Sequence, residues 1–443
     1  MAKAKSKKIT IEDALVPVEE QPYEVPGNWC WTYLLTGAAE CIDGYRKPLN
    51  ATERASREGD IPYYGATGQV GWIDDYLTNE QLILLGEDGA PFLDLMKDKA
   101  YIIDGKAWVN NHAHILKSHY GEVGNRFLMH YLNTFNYHGY VNGTTRLKLT
   151  QASMNTIPVP LPPLPEQQRI VEQIESLFSK LNEVKEKAQE ALESFEERRV
   201  AILHKAFEGE LTLQWRTEHG VDMNSWSDVP LKECGRWFGG GTPTTSKKEY
   251  WEGGDIPWIT SKDMKDRIIE DSLMHITMTG VDNSSANYCD EPAVLFVMRS
   301  GILRRVFPVC MVKRPFTVNQ DLKACVPNGI LQEYLYWYCT GFEKDIRYNC
   351  MKSGTTVESV EAKKLFDYSI RVAGADEQKE IVNRIEAMLD KEAAAYEAAE
   401  EVIENVEIVK KSILAKAFRG ELGTNDPAEE SSIELLKQII ANE

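Results

Sequence analysis

The stretch KAFEGEL at 205–211 returns as KAFRGEL at 416–422, changed at one residue and displaced by 211 positions. Repetition at a fixed offset signals architecture before it signals chemistry. The offset holds well beyond those seven residues: 166–211 against 377–422 aligns without a gap, with about 20 identities in 46 positions. EQQRIVEQIE (166–175) falls on EQKEIVNRIE (377–386), and upstream GTT (143–145) falls on GTT (354–356). The repeating unit is therefore about half of the chain.

Alternate steps of three and four from Ile174 give Leu177, Leu181, Val184, Ala188, Ala191, Phe195, Arg198 and Ile202. The same steps at the offset give Ile385, Met388, Glu392, Ala395, Ala399, Val402, Val406, Val409 and Ile413. A 3.5-residue apolar stripe flanked by Glu, Lys, Gln and Arg predicts a coiled-coil seam. Each stripe has one charged break, Arg198 in the first and Glu392 in the second. No Pro or Gly interrupts 166–207 or 377–418. Pro165 suits a first helical position, Asp376 an N-cap, and Gly209 and Gly420 left-handed C-caps. Two helices of about 42 residues, each about 60 Å long, predict a stiff spacer. With a whole domain between them, their simplest pairing is with each other, antiparallel, with the globular modules at opposite ends.

A length of 443 residues allows two to four domains with sizeable cores. The sequence divides at 1–165, 166–211, 212–375, 376–422 and 423–443: module, helix, module, helix, tail. The net charge of −18 argues at first against a nucleic-acid partner. Its distribution weakens that objection, since 1–165 carries 15 Lys/Arg against 19 Asp/Glu and 212–375 carries 20 against 21. The acidity sits on the repeated helices and the tail. Eight cysteines without a CxxC pair, an opening MAKAKSKK without an apolar core and no long apolar run predict a reduced, cytoplasmic protein without disulfides, zinc ribbon or membrane span.

Between the helices the pattern changes to short buried strands, LILL (82–85), AVLFVM (293–298) and FPVCMV (307–312), and to helical patches starting at Asn125 and Leu331. The fold class is α+β. The modules are cousins: GDIP at 59–62 returns at 254–257, and VNNHAHIL (109–116) matches VNQDLKAC (318–325). A shared frame with unlike loops implies a shared architecture with different ligands.

Catalytic signatures are missing. FGGGTPTTSKK at 238–248 lacks the GxxxxGK[ST] spacing of a phosphate loop, and there is no GxSxG, HExxH or [ND]PP[YFW]. His112 and His114 fall on one face of a strand, without the Asp, Glu or Cys cluster a metal needs, and read as packing or surface residues. The reading is binding, by a chain that is not an enzyme. Lys and Arg suit phosphates, while Arg, Asn and Gln can read base edges. Candidates in the first module are Tyr63, Tyr64, Gln69, Asn110, Asn111, Thr144, Thr145, Arg146 and Lys148. In the second they are Thr244, Thr245, Lys247, Lys248, Thr260, Ser261, Lys262, Arg299, Arg304, Arg305, Asn319, Gln320, Thr355 and Thr356. A stand-alone DNA enzyme with an unrecognised site and a coiled-coil scaffold for protein partners stay open.

The layout resembles the specificity subunit of type I restriction-modification systems, which act in phage defence. The resemblance rests on PLPPLPEQQRIVEQIESLFSKL (160–181), AILHKAFEGELTLQWR (201–216), GGTPTTSKKEYWEGGDIPWITSKDM (240–264) and SILAKAFRGEL (412–422). It implies two target recognition domains, each reading half of a bipartite, asymmetric double-stranded DNA site, held apart by an antiparallel coiled coil. It also implies two modification subunits that use S-adenosylmethionine for DNA methylation at adenine, joined in some systems by two restriction/translocase subunits using ATP and Mg. No cofactor is expected on this chain itself.

Overall fold

The computed structural model describes residues 9–352 and 357–442. They form two compact units: residues up to Gln189 together with those from Glu400 onward make one, and Glu190–Ala399 the other. The five segments cut along the sequence thus regroup, each unit taking one module and part of each long helical segment.

The helical segments run Leu164–Glu193, Phe195–Phe207 and Ala375–Phe418. The first copy is interrupted where the repeat alone predicted continuity. At Ser194 the hydroxyl turns back onto the carbonyls of Glu190 and Ala191, at 2.9 and 3.3 Å, a competition that bends helices. Asp376 is not the N-cap; it lies in the first turn of a helix that begins at Ala375.

Pairing is antiparallel within each unit. In one, Lys185 Nζ meets Glu407 Oε1 at 2.7 Å. In the other, Arg198 Nε meets Glu392 Oε2 at 2.7 Å, and the Phe195 and Tyr396 rings lie 4.9 Å apart. The two charged breaks in the stripes are therefore partners. Ile174, Ala188, Ile202, Ile385, Ala399 and Val406 are buried, and Leu177, Leu181, Phe195, Val402 and Ile413 half-buried. Val184, Met388 and Val409 are 46, 36 and 42% exposed and lie off the seam. A strict 3.5 stripe drifts by about 20° per heptad on a straight helix, and these positions have rotated towards solvent.

KAFEGEL and KAFRGEL close their helices identically. Gly209 has φ +84° and Gly420 φ +72°. Glu210 N–H reaches Lys205 O at 2.9 Å and Gly209 N–H reaches Ala206 O at 3.2 Å; in the second copy Glu421 reaches Lys416 and Gly420 reaches Ala417, at 2.9 and 3.1 Å. This double bond pattern is the Schellman cap. A Cβ on Gly209 would lie 2.6 Å from Met223 Sδ, and one on Gly420 2.4 Å from Pro26 Cγ, so glycine is also required for space. Phe207 packs edge-on against Tyr338 at 4.9 Å, and Phe418 against Phe127 at 5.2 Å, each anchoring a helix end in a module core.

The two modules share one topology. In the first, strands Ala39–Cys41, Ala113–Ser118, Leu82–Gly86 and Ala100–Ile103 lie side by side in that order; in the second, Gly235–Gly239, Leu322–Pro327, Ala293–Val297 and Val309–Val312 do the same. The central strands LILLG and AVLFV are buried throughout, which explains their unbroken apolar runs. Helices Gly121–Thr134 and Gln332–Gly341 cover these sheets. A second small sheet in each module carries the only parallel pairing among its named strands, Ile61–Tyr64 with Lys106–Val109 and Ile256–Ile259 with Thr317–Val318.

Candidate nucleic-acid interface

The loops that leave those parallel pairs form the candidate interface. In the first module Tyr64 is in register with Val109, and Asn110 N–H donates to Tyr64 O at 3.1 Å. Asn110 is buried, and its Oδ1 accepts from His112 N–H at 2.8 Å, turning the chain sharply. In the second module Ile259 is in register with Val318, and Asn319 N–H donates to Ile259 O at 3.0 Å. Asn319 is likewise buried, with Oδ1 accepting from Asp321 N–H at 3.1 Å. The residue after each braced asparagine, Asn111 or Gln320, is exposed.

Further segments converge there. In the first module, Glu87 N–H bonds to His112 O at 2.8 Å, and Asp88 Oδ1 lies 2.7 Å from both His112 Nδ1 and Arg146 Nη2. Arg146 and Lys148 belong to the hairpin of Val141–Asn142 and Lys148–Leu149, with Thr144 and Thr145 exposed at its tip. In the second module, Met298 and Arg299 N–H groups both bond to Asp321 O, at 2.8 and 3.2 Å, and Ser300 N–H bonds to Glu358 O at 3.1 Å. Thr242 Oγ1 donates to Gln320 Oε1 at 2.7 Å.

The charge environments differ. In the first module Lys148 pairs with Glu87 at 2.8 Å and Arg146 with Asp88, so each candidate cation has a carboxylate beside it. In the second, Lys262, Arg299 and Arg305 hold no ion pair among the described residues. The second cluster offers more uncompensated positive charge to a phosphate backbone.

The amino-acid pattern of residues 40–194 and of 223–405 matches the type I restriction modification DNA specificity domain. The chain belongs to the type I restriction-modification DNA specificity family. It is 31% identical over 266 residues to the EcoR124I/EcoR124II specificity subunit of Escherichia coli, covering 58% of this chain and 61% of that one. It is 35% identical over 149 residues to a putative type I specificity subunit of Haemophilus influenzae, S.HindORF215P, covering 34% of this chain and 37% of that one. The match thus spans less than two thirds of the length of either relative, 61% of one and 37% of the other. The fold is similar to that of the HsdS subunit of Thermoanaerobacter tengcongensis, with 20% identity, 91% of this chain and 100% of that chain covered, and a TM-score of 0.62.

The expected contact residues of this specificity-family chain sort by their surroundings. Tyr63 is 1% exposed, its hydroxyl accepting from Leu49 N–H and its ring under the Arg54 guanidinium; it is a core residue. Asn110 and Asn319 brace turns. Thr260 is also internal in role, its backbone N–H and Oγ1 both donating to Asp263 Oδ2 at 2.8 Å. Tyr64 and Ser261 are half-buried; Gln69, Asn111, Thr144, Thr145, Arg146, Lys148, Thr244, Thr245, Lys247, Lys248, Lys262, Arg299, Arg304, Arg305 and Gln320 are exposed. Lys247 is tied to Tyr250 Oη at 2.7 Å, Lys248 to Glu252 at 3.1 Å and Arg304 to Glu358 at 2.9 Å. Thr355 and Thr356 lie outside the described residues.

The glycine run at 239–241 has a packing explanation. A Cβ on Gly240 would fall 1.7 Å from Val318 O, and one on Gly241 1.9 Å from Ser285 Oγ. Gly240 lets the loop lie against the strand that leads into the braced asparagine, and Gly241 lets it pass Ser285.

One constellation escaped the sequence. His114 is buried, with Nδ1 2.7 Å from Asp43 Oδ2 and Nε2 3.0 Å from Leu149 O. Arg46 Nη2 reaches the same Asp43 oxygen at 2.7 Å and pairs through Nη1 with Glu87. Burial alone would raise the Asp43 and Glu87 carboxyls; hydrogen bonds from His114 and Ile115 to Asp43, and from Lys148 and Arg46 to Glu87, hold both below the ordinary carboxylate range. Cys41 brings its sulfur within 4.8 Å of the Asp43 and His114 ligand atoms. Burial and then the Asp43 charge push its thiol up to about 12, and Arg46 already occupies the carboxylate, so the group suits an ion-pair lock better than a metal. It fixes the Lys148 hairpin to the sheet. The isolated signal was the second of two histidines two residues apart; its partners, Asp43 and Leu149, are 71 and 35 positions away.

Proposed function

We propose that this chain is a non-catalytic DNA-reading subunit: each module recognises one half of a bipartite, asymmetric double-stranded site, and the paired helices fix the gap. One observation carries the reading. Two loop clusters stand on the same strand pair and the same braced asparagine, yet expose different side chains, as one scaffold reading two different sequences requires. The family supports it, and so do the near-duplicate helices, which can present equivalent surfaces to two copies of one partner. On this reading two modification subunits supply S-adenosylmethionine and the methyl-transfer chemistry, and two restriction/translocase subunits, where a system has them, supply ATP and Mg. The acidity of the helices is then tolerable, because little of it lies on the loop clusters.

The test is DNA geometry. Inserting two base pairs into the unread gap moves the half-sites apart by about 7 Å and rotates one by about 70°. Methylation by the reconstituted complex should vanish on that duplex. Undiminished methylation would refute the ruler, and metal-dependent activity of the isolated chain would refute its non-catalytic role.

A further inference from the structure

We propose that Asn111 and Gln320 are equivalent specificity-determining residues, each reading an adenine in its own half-site; this rests on the DNA-reading function above and deepens it. Their equivalence is one of backbone placement. Each follows a buried asparagine whose N–H caps the adjacent parallel strand, at Tyr64 O or Ile259 O, and whose side chain accepts from the N–H two residues on. Each then leads into the central-sheet strand of its module, Ala113–Ser118 or Leu322–Pro327. The chain is held rigidly on both sides of one exposed residue, and in both modules that residue is a primary amide.

A terminal amide presents one acceptor and one donor side by side, the complement of adenine's N6 amino group and N7 in the major groove. The braced asparagines cannot serve, because their amides are buried in the turns. The two readers are also differently prepared. Thr242 Oγ1 holds Gln320 Oε1 at 2.7 Å, fixing the orientation of the longer side chain. The Oε1 atom keeps a second lone pair for adenine N6–H, and the Nε2 group remains available as donor. Asn111, shorter by one methylene, holds no side-chain hydrogen bond among the described residues. Arg299, whose N–H bonds to the carbonyl of Asp321 next to Gln320 and whose side chain holds no ion pair among the described residues, is placed to grip a flanking phosphate, whereas Arg146 near Asn111 is already paired with Asp88.

The test is selection of duplexes with two randomised blocks by the full chain, assembled with its modification subunits, followed by sequencing. Asn111→Ala should erase an adenine preference at one position of one half-site, lowering affinity for the best site about 5- to 150-fold, and leave the other half-site intact. Gln320→Ala should do the same in the other half. Asn111→Asp and Gln320→Glu replace the amide by acceptors alone and should move the preference from adenine to cytosine. They also decide the matter should an alanine variant fold poorly. A wild-type motif retained by these variants, or relaxation of both half-sites together, overturns the assignment. A wild-type complex that selects no motif overturns instead the function on which it rests.

Discussion

Glu377→Ala should loosen the unit formed by Glu190–Ala399 more than any other single exchange at a helix end. The carboxylate is 1% exposed. Its Oε1 accepts from Thr212 Oγ1 and Arg216 Nη1, both at 2.7 Å, and its Oε2 from Trp226 Nε1 at 2.8 Å. Arg216 is itself 6% exposed and donates through Nη2 to Gly209 O, the carbonyl of the helix-capping glycine. One carboxylate thus ties the start of one long helix to the end of the other. Alanine leaves a buried guanidinium without its counter-charge, at a cost of about 3–5 kcal/mol. For a unit of this size each kcal/mol lowers the midpoint by about 2–4 °C, so the variant should unfold about 6–20 °C earlier. Circular dichroism melts and urea titrations measure it. The double variant Glu377→Leu with Arg216→Met removes both charges and should lose less than the two single variants combined. A fall below about 2 °C for Glu377→Ala, or additive losses, would refute the view that burial of an unpaired charge sets the cost.

Two further outcomes follow from charges. Arg198→Glu faces Glu392 and should lower stability, while Arg198→Glu with Glu392→Arg should recover it; at 36 and 23% exposure the coupling in a double-mutant cycle should be about 0.2–1 kcal/mol. Zero coupling would mean that the two breaks in the stripes do not specify register. The second concerns acid. Asp43 and Glu87 are depressed in the folded state, so their stabilisation is complete above the unfolded carboxylate value near about 4 and is lost as pH falls through the folded values. Asp43→Asn should flatten the decline of the first unit's melting midpoint between about pH 5 and 2; an unchanged slope would show that the His114 lock does not hold that carboxylate ionised.

What the sequence made legible was what repeats. Two copies of a Gly-capped, uninterrupted apolar stripe reveal two helices because caps and periodicity are local, so even the Schellman caps at Gly209 and Gly420 could be anticipated from seven letters. The buried strands were legible for the same reason, since LILL and AVLFV are contiguous. The helix break was not: Ser194 is an unremarkable letter, and only its hydroxyl's turn onto Glu190 and Ala191 distinguishes it. The site was half legible. GDIP and VN marked the parallel strands in both modules, but composition could not say that the asparagine of VN is consumed in bracing its turn while the next residue faces solvent. Tyr63 was misjudged for the same reason. Aromatic residues suit both a base stack and a core, and alternation along a short strand does not reveal which face is which.

The non-local part of the site lies in charge exchanged across the repeat. Asp88 and Arg299 are 211 positions apart, and the bridges Asp88 with Lys148 and Arg299 with Ser359 keep the same offset. At this one place in a common frame, the first module carries an acid that pairs with Arg146 and holds His112, and the second carries an arginine with no ion pair among the described residues. The frame can accept either sign because the residue is held by backbone bonds, not by its side chain. A scaffold whose register depends on strands and braced asparagines leaves its loop chemistry free to change, and so two copies can come to expose different chemistry without altering the helices that join them.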